Sequence, residues 1–245
     1  MNWKTALAPL GILILTLPVM AQAQQAPPKV YTGSFGAGYA LTGGNTDTSS
    51  FNLGFELTRD PKTKNLVKSN GLYLRSDQDN ETTADRLRLD ARDEYALSQR
   101  TFIFGDLLYL RDPFKDITYL LNPQGGIGYR LYMTDRAVFS LSGGGGAVWE
   151  NNPGWDVNAS GTLNAGENFS YKISDIARLT QVLAGLWKTE DFDDYLIHFG
   201  IALATSITKS AELKVEFLDD HKNVTPNPGV KKNDTAFITS FIYKF

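Results

Sequence analysis

Arg86, Arg88, Asp90, Arg92 and Glu94 stand at every second position of one short stretch, so in an extended strand all five charges project from one face. Charges of both signs crowded on one face can do two things. Paired with one another across an enclosed space, they form a rigid ionic plug. Segregated by sign across a water-filled space, they set up a transverse field that screens ions and polar solutes. Glu56, Arg130, Glu212, Lys214 and Glu216 occupy equivalent alternate positions elsewhere, and His198 lies among small residues in another alternating stretch. All of these are expected to line one lumen.

Catalysis would require a positioned base, most often histidine. His198 and His221 are the two histidines. Their separation does not match a metal-ligand motif, and the sequence places no serine beside either. No catalytic or cofactor-binding residue is assigned, and the chain is read as a non-enzyme; an outer-membrane hydrolase of phospholipase or protease type is the alternative. Cysteine is absent, which excludes thiolate metal sites and a cysteine nucleophile. The acidic run Glu190, Asp191, Asp193, Asp194, with Asp219 and Asp220 further on, lacks the spacing of a calcium loop and reads as a solvated rim. Gly143 to Gly146 precede no Lys-Ser/Thr pair and no helical pattern, so they suit a sharply curved wall rather than a phosphate loop. Lys+Arg number 24 against Asp+Glu 27, with no basic block, and nucleic acid is not an expected partner.

The elements that must carry these side chains are strands. Between residues 30 and 245 the sequence is a succession of alternating segments of roughly ten residues, broken by turn residues, which is the pattern of a membrane β-barrel. Phe51, Leu53, Phe55 and Leu57, for example, oppose Ser50, Asn52, Gly54, Glu56 and Thr58. Ile197, Phe199, Ile201 and Leu203 oppose His198, Gly200, Ala202 and Ala204 in the same way. Two segments, Leu66 to Ser76 and Thr101 to Arg111, alternate poorly. Asp112 to Asp116 and Asp219 to Asn233 are expected to be loops, with a strand at Gly125 to Tyr132. The tally predicts an all-β, antiparallel, up-and-down transmembrane barrel of twelve strands, with ten or fourteen as the alternatives. A barrel of that size has room for a narrow channel, which favours the pore over the plug. Mean hydropathy is -0.24, as expected when only every second strand residue meets lipid.

The closing segment carries Phe237, Phe241, Tyr243 and Phe245 on one face. Aromatic residues at Phe241, Tyr243 and the terminal Phe245 resemble the assembly signal of Gram-negative outer-membrane barrels, which implies recognition by the barrel-assembly machinery. At the other end, Lys4, the apolar run Ala6 to Val19 and the small residues Ala21 and Ala23 match a secretory signal. Residues 1–23 are therefore expected to be a signal peptide, 24–29 a short periplasmic leader and 30–245 the barrel. The apolar run is shorter than the roughly 20 residues of a spanning helix.

Leu41, Thr42, Gly43, Gly44, Asn45, Thr46, Asp47 and Thr48 join a glycine-alternating strand to Phe51 to Leu57. This hairpin resembles the opening of the salt-induced outer-membrane protein family (YdiY-like), which carries a Thr-Gly-Asn-Thr type turn; here Gly44 is an addition. The resemblance implies a barrel in the outer membrane and supplies no catalytic residue. Outer-membrane lipid, lipopolysaccharide and small solutes are the partners expected of such a protein, acting as a small-solute diffusion channel or in a stress-related envelope role.

Overall fold

The computed structural model describes residues 30–43, 48–78, 81–225, 227 and 229–245. The expected signal peptide, the leader and the turn at residues 44–47 lie outside them. Twelve strands follow one another: β1 Tyr31–Gly43, β2 Thr48–Arg59, β3 Asn65–Gln78, β4 Glu81–Ala96, β5 Thr101–Asp112, β6 Ile117–Met133, β7 Ala137–Asn151, β8 Asn158–Lys172, β9 Ala177–Lys188, β10 Tyr195–Ser206, β11 Ala211–Lys222 and β12 Asn233–Lys244. Each pairs antiparallel with its neighbours in sequence, and β1 pairs with β12 to close the barrel. Closure leaves no open sheet edge.

Pairing preserves parity around the ring. Phe35 faces Phe55, Arg92 faces Asp106, Asn164 faces Leu186 and Lys214 faces Ser240. Among the described residues, register breaks at Ser76/Asp77, Leu110/Asp112 and Arg130/Tyr132. Because side chains alternate with period 2, even-numbered positions line the inside and odd-numbered ones the outside of nearly every strand. Phe35, Leu53, Ile103, Ile127, Leu141, Leu163, Leu203 and Leu213 are accordingly exposed on the exterior. The closing stripe is among them, with Phe237 47%, Phe241 56%, Tyr243 56% and Phe245 50% exposed. So many exposed apolar side chains on the exterior need an apolar solvent or partner.

At one end of the barrel the connections are short and built alike. Ser98, Thr134, Ser174 and Thr208 each accept a backbone N–H from two or three residues ahead through the side-chain oxygen, the turn chemistry of short hydroxylated residues. Asp60 does the same for the N–H of Lys62, whose φ is 58. Phe245 N donates to Gly33 O at 3.0 Å, and its ring stacks on Phe35 with centroids 5.9 Å apart. That ring covers Gly33, where a Cβ would collide with it.

Three stretches differ from expectation. β6 begins at Ile117 rather than Gly125, because Pro123 sits where the ladder to β7 is interrupted and no backbone donor is required. Asn122 Nδ2 donates to Ala147 O at 2.9 Å instead. β11 runs to Lys222, so Asp219, Asp220 and His221 are strand residues. β5 alternates poorly because both of its faces are apolar: Phe102, Phe104 and Leu110 are buried inside while Ile103 and Leu107 are exposed outside.

Candidate functional site: the barrel lumen

A cavity of about 680 Å³ occupies the lumen. Its wall is laid down by adjacent strands in register. On β4 and β5, Arg92 Nε reaches Glu94 Oε1 at 3.2 Å and Arg92 Nη1 reaches Asp106 Oδ2 at 3.3 Å. Glu94 also accepts from Lys68 at 3.1 Å and from Arg130 at 3.3 Å. Both guanidinium groups stack on rings, Arg92 at 3.8 Å from the centre of Phe104 and Arg130 at 4.6 Å from that of Phe102, a favourable cation–π arrangement. The rings lie flat because β6 offers glycine beneath them: a Cβ on Gly128 would enter Phe102, and one on Gly126 would meet Phe104 and the backbone of Gly143 and Gly144. Glycine here serves close packing of the wall.

Toward the long-loop end the lumen is filled. A 3-10 turn, Pro113–Lys115, tucks Lys115 inside, 3% exposed. Lys115 Nζ donates to Asp220 O at 2.7 Å and to Lys232 O at 3.3 Å, with Asp234 at 3.6 Å. The Asp220 carboxylate accepts from Arg86 and lies 2.8 Å from His198 Nδ1. Beside this group, Glu150 receives both Lys222 and Lys188, the latter at 2.8 Å, and Lys188 also reaches Asp194 at 2.6 Å. Ile117, Leu120 and Val148, each 0% exposed, pack with Leu110 alongside. Arg86, Lys115, Glu150, Lys188 and Lys222 do not line the cavity. They form a layer between it and the long loops.

At the short-turn end the charges are looser. Glu212 accepts from Lys244 at 2.7 Å and from Ser206 at 3.1 Å, with Arg178 at 3.8 Å. Lys214 lies between Glu216 at 3.1 Å and Glu56 at 3.7 Å, and the Glu56 side chain is 60% exposed. A second cavity of about 370 Å³ adjoins the first through Val138 and Ser170.

The structure thus separates the lumen candidates by what they line. Arg86 belongs to the filled layer; Glu56, Arg88, Asp90, Arg92, Glu94, Arg130, His198, Lys214 and Glu216 surround the main cavity; Glu212 lines the second cavity. Asp194 and Asp220 do not sit on an acidic rim, because each is engaged by an inward cation or histidine. Among the described residues no group of three or more His, Cys, Asp or Glu is placed to hold a metal ion. His221 lies apart, its Nδ1 2.7 Å from Asn233 Oδ1 and its ring stacked on Tyr195.

Sequence reasoning missed Lys115, Glu150, Lys188 and Lys222. The last three sit at even positions at the long-loop ends of strands, so extending the alternation by one step would have found them. Lys115 comes from a connection, where alternation has no meaning.

The family model described as "protein of unknown function, DUF481" matches residues 35–245. Among curated proteins none matches the sequence. Of solved structures, the NanC porin aligns with TM-score 0.58 at 9% identity, over 86% of this chain and 100% of the porin. The translocator domain of the autotransporter NalP from Neisseria meningitidis gives 0.53 at 9% identity, over 89% and 90% of the two chains. An outer membrane channel from Pseudomonas putida F1 gives 0.52 at 13% identity, over 91% and 98%. At these identities the likeness is one of fold.

Proposed function

We propose, for a chain that belongs to the DUF481 family, that it is an outer-membrane barrel whose lumen conducts small polar solutes and whose outer mouth is closed at rest by the buried ionic layer. The observation that carries this reading is the inversion of the barrel: apolar side chains outside, and inside a charged wall around an open cavity of about 680 Å³. Lipid satisfies such an exterior, and water such an interior. Two of the aligned structures are by their own descriptions a porin and an outer membrane channel, which supports the reading; the translocator NalP has the same fold, so the lumen's chemistry must carry the argument.

In this orientation the short turns face the periplasm and the long loops the exterior. Lipopolysaccharide surrounds the outer half, and the barrel-assembly machinery reads Phe241, Tyr243 and Phe245. The His198–Asp220 contact is assigned to the closing layer rather than to hydrolysis, because Asp220 there also receives Arg86. A channel closed at rest accommodates the stress-related role implied by the opening hairpin.

Refolded protein in planar bilayers tests the proposal. Brief, ion-selective steps are the expected result. A silent bilayer from protein that retains heat-modifiable mobility would overturn the channel and leave a plugged structural barrel.

A further inference from the structure

Of the five alternating charges on β4, three are committed: Arg86 to Asp220, Arg92 to Asp106 and Glu94, and Glu94 to Arg92, Arg130 and Lys68. Arg88 and Asp90, between them, are not. Among the described residues neither makes a hydrogen bond or an ion pair, although both line the main cavity and no polar atom of either is sealed away from it. They are one strand step apart on the same face, about 7 Å between Cα atoms. Asp220 and Asp90 attract the Arg88 guanidinium through space without touching it, so its N–H groups and the Asp90 oxygens stay open to the lumen, one site asking for an acceptor and the adjacent one for a donor.

Three of the four flanking positions are apolar. Register places Arg88 between Leu72 on β3 and Leu110 on β5, and Asp90 between Asn70 and Leu108. Leu72, Leu108 and Leu110 all line the cavity. A simple anion would satisfy Arg88 and repel Asp90, and a simple cation the reverse. A neutral polar solute would offer both groups weaker hydrogen bonds than charged partners make. The solute class that satisfies both carries a carboxylate and an ammonium group on one small frame, with an aliphatic part for the leucines.

We propose that Arg88 and Asp90 form a zwitterion-binding site in the lumen, taking the carboxylate and the ammonium group of a free amino acid with an aliphatic side chain. The inference rests on the reading of the lumen as a solute path and names the class of solute. Carboxylate–guanidinium bonds are charge-assisted and geometrically selective, and the leucine wall excludes competing water from one side.

The test is calorimetric titration of the full-length, detergent-folded protein with L-leucine, with 4-methylpentanoate (leucine lacking its ammonium) and with isopentylamine (leucine lacking its carboxylate). Leucine is expected to bind at least about tenfold tighter than either half-ligand, the ratio for one charge-assisted bond of about 1.5 kcal/mol. Arg88→Gln should lose the preference for leucine over isopentylamine, and Asp90→Asn the preference over 4-methylpentanoate. The exchange Arg88→Asp with Asp90→Arg should restore leucine binding in the reverse orientation, which a purely structural role for the pair would not do. Leucine binding no tighter than a half-ligand overturns the site; this comparison uses the unaltered protein and holds even where a variant fails to fold. A conducting barrel without leucine preference removes this inference alone, while leucine binding by a barrel silent in bilayers removes the channel alone.

Discussion

Replacing Glu150 by glutamine should open the outer layer, and its effect can be sized from the contacts. Glu150 is 1% exposed and lies between Lys222, 2% exposed, and Lys188, 6% exposed. Lys188 would keep Asp194 at 2.6 Å, but among the described residues Lys222 has no other ion-pair partner. Glutamine preserves the shape and removes the charge, leaving one buried ammonium uncompensated. Breaking a buried pair in this way costs about 3–5 kcal/mol. At about 1.4 kcal/mol per tenfold, the balance between the closed layer and any rearrangement that hydrates Lys222 shifts by roughly two orders of magnitude or more. Single-channel recording should report a higher open probability or larger steps for Glu150→Gln than for the unaltered barrel. The double variant with Lys222→Met should return toward the original behaviour, since the orphaned charge is then gone. Folded Glu150→Gln protein with unchanged conductance, or a double variant no closer to the starting point than the single one, would refute the assignment of this layer as the closure.

Other outcomes follow from the same packing. Gly126→Ala should cost about 1–3 kcal/mol or abolish the folded barrel, because the new methyl meets the β7 backbone; Gly143→Ala, whose nearest neighbour would be Asn164 O at 3.8 Å, should be tolerated, and heat-modifiable mobility distinguishes them. Phe245→Ala removes the ring stacked on Phe35 and covering Gly33, so the yield of folded protein in outer membranes should fall, as read by protease resistance of isolated membranes. His198→Ala and His221→Ala should leave membrane yield unchanged, and neither should remove a lipase or protease activity; a hydrolytic activity lost in either variant would revive the enzyme reading.

The barrel was legible because its evidence is local. Leu53 and Phe55 on one side of β2 and Asn52 and Gly54 on the other already state which face meets which environment, and the short turns announce themselves through Ser98, Thr134 and Ser174. β5 was illegible for the same reason: with Phe102, Phe104 and Leu110 facing in and Ile103 and Leu107 facing out, apolar character carries no information about direction. β6 was read only from Gly125, where alternation is plain, although the strand begins at Ile117 and a gap in the β7 ladder absorbs Pro123.

Parity is therefore written in the residue order: an even-numbered charge on a strand points inward, because alternation is a property of two adjacent residues. Pairing emerges once the strands are assembled. Arg86 meets Asp220 across 134 residues, and Lys115 reaches the same aspartate's carbonyl across 105. Height within the lumen and distance across it come from the stagger of twelve strands closed into a ring, and no single strand encodes that stagger. The same closure commits Arg86 and Arg92 to partners while leaving Arg88 and Asp90 open to the cavity.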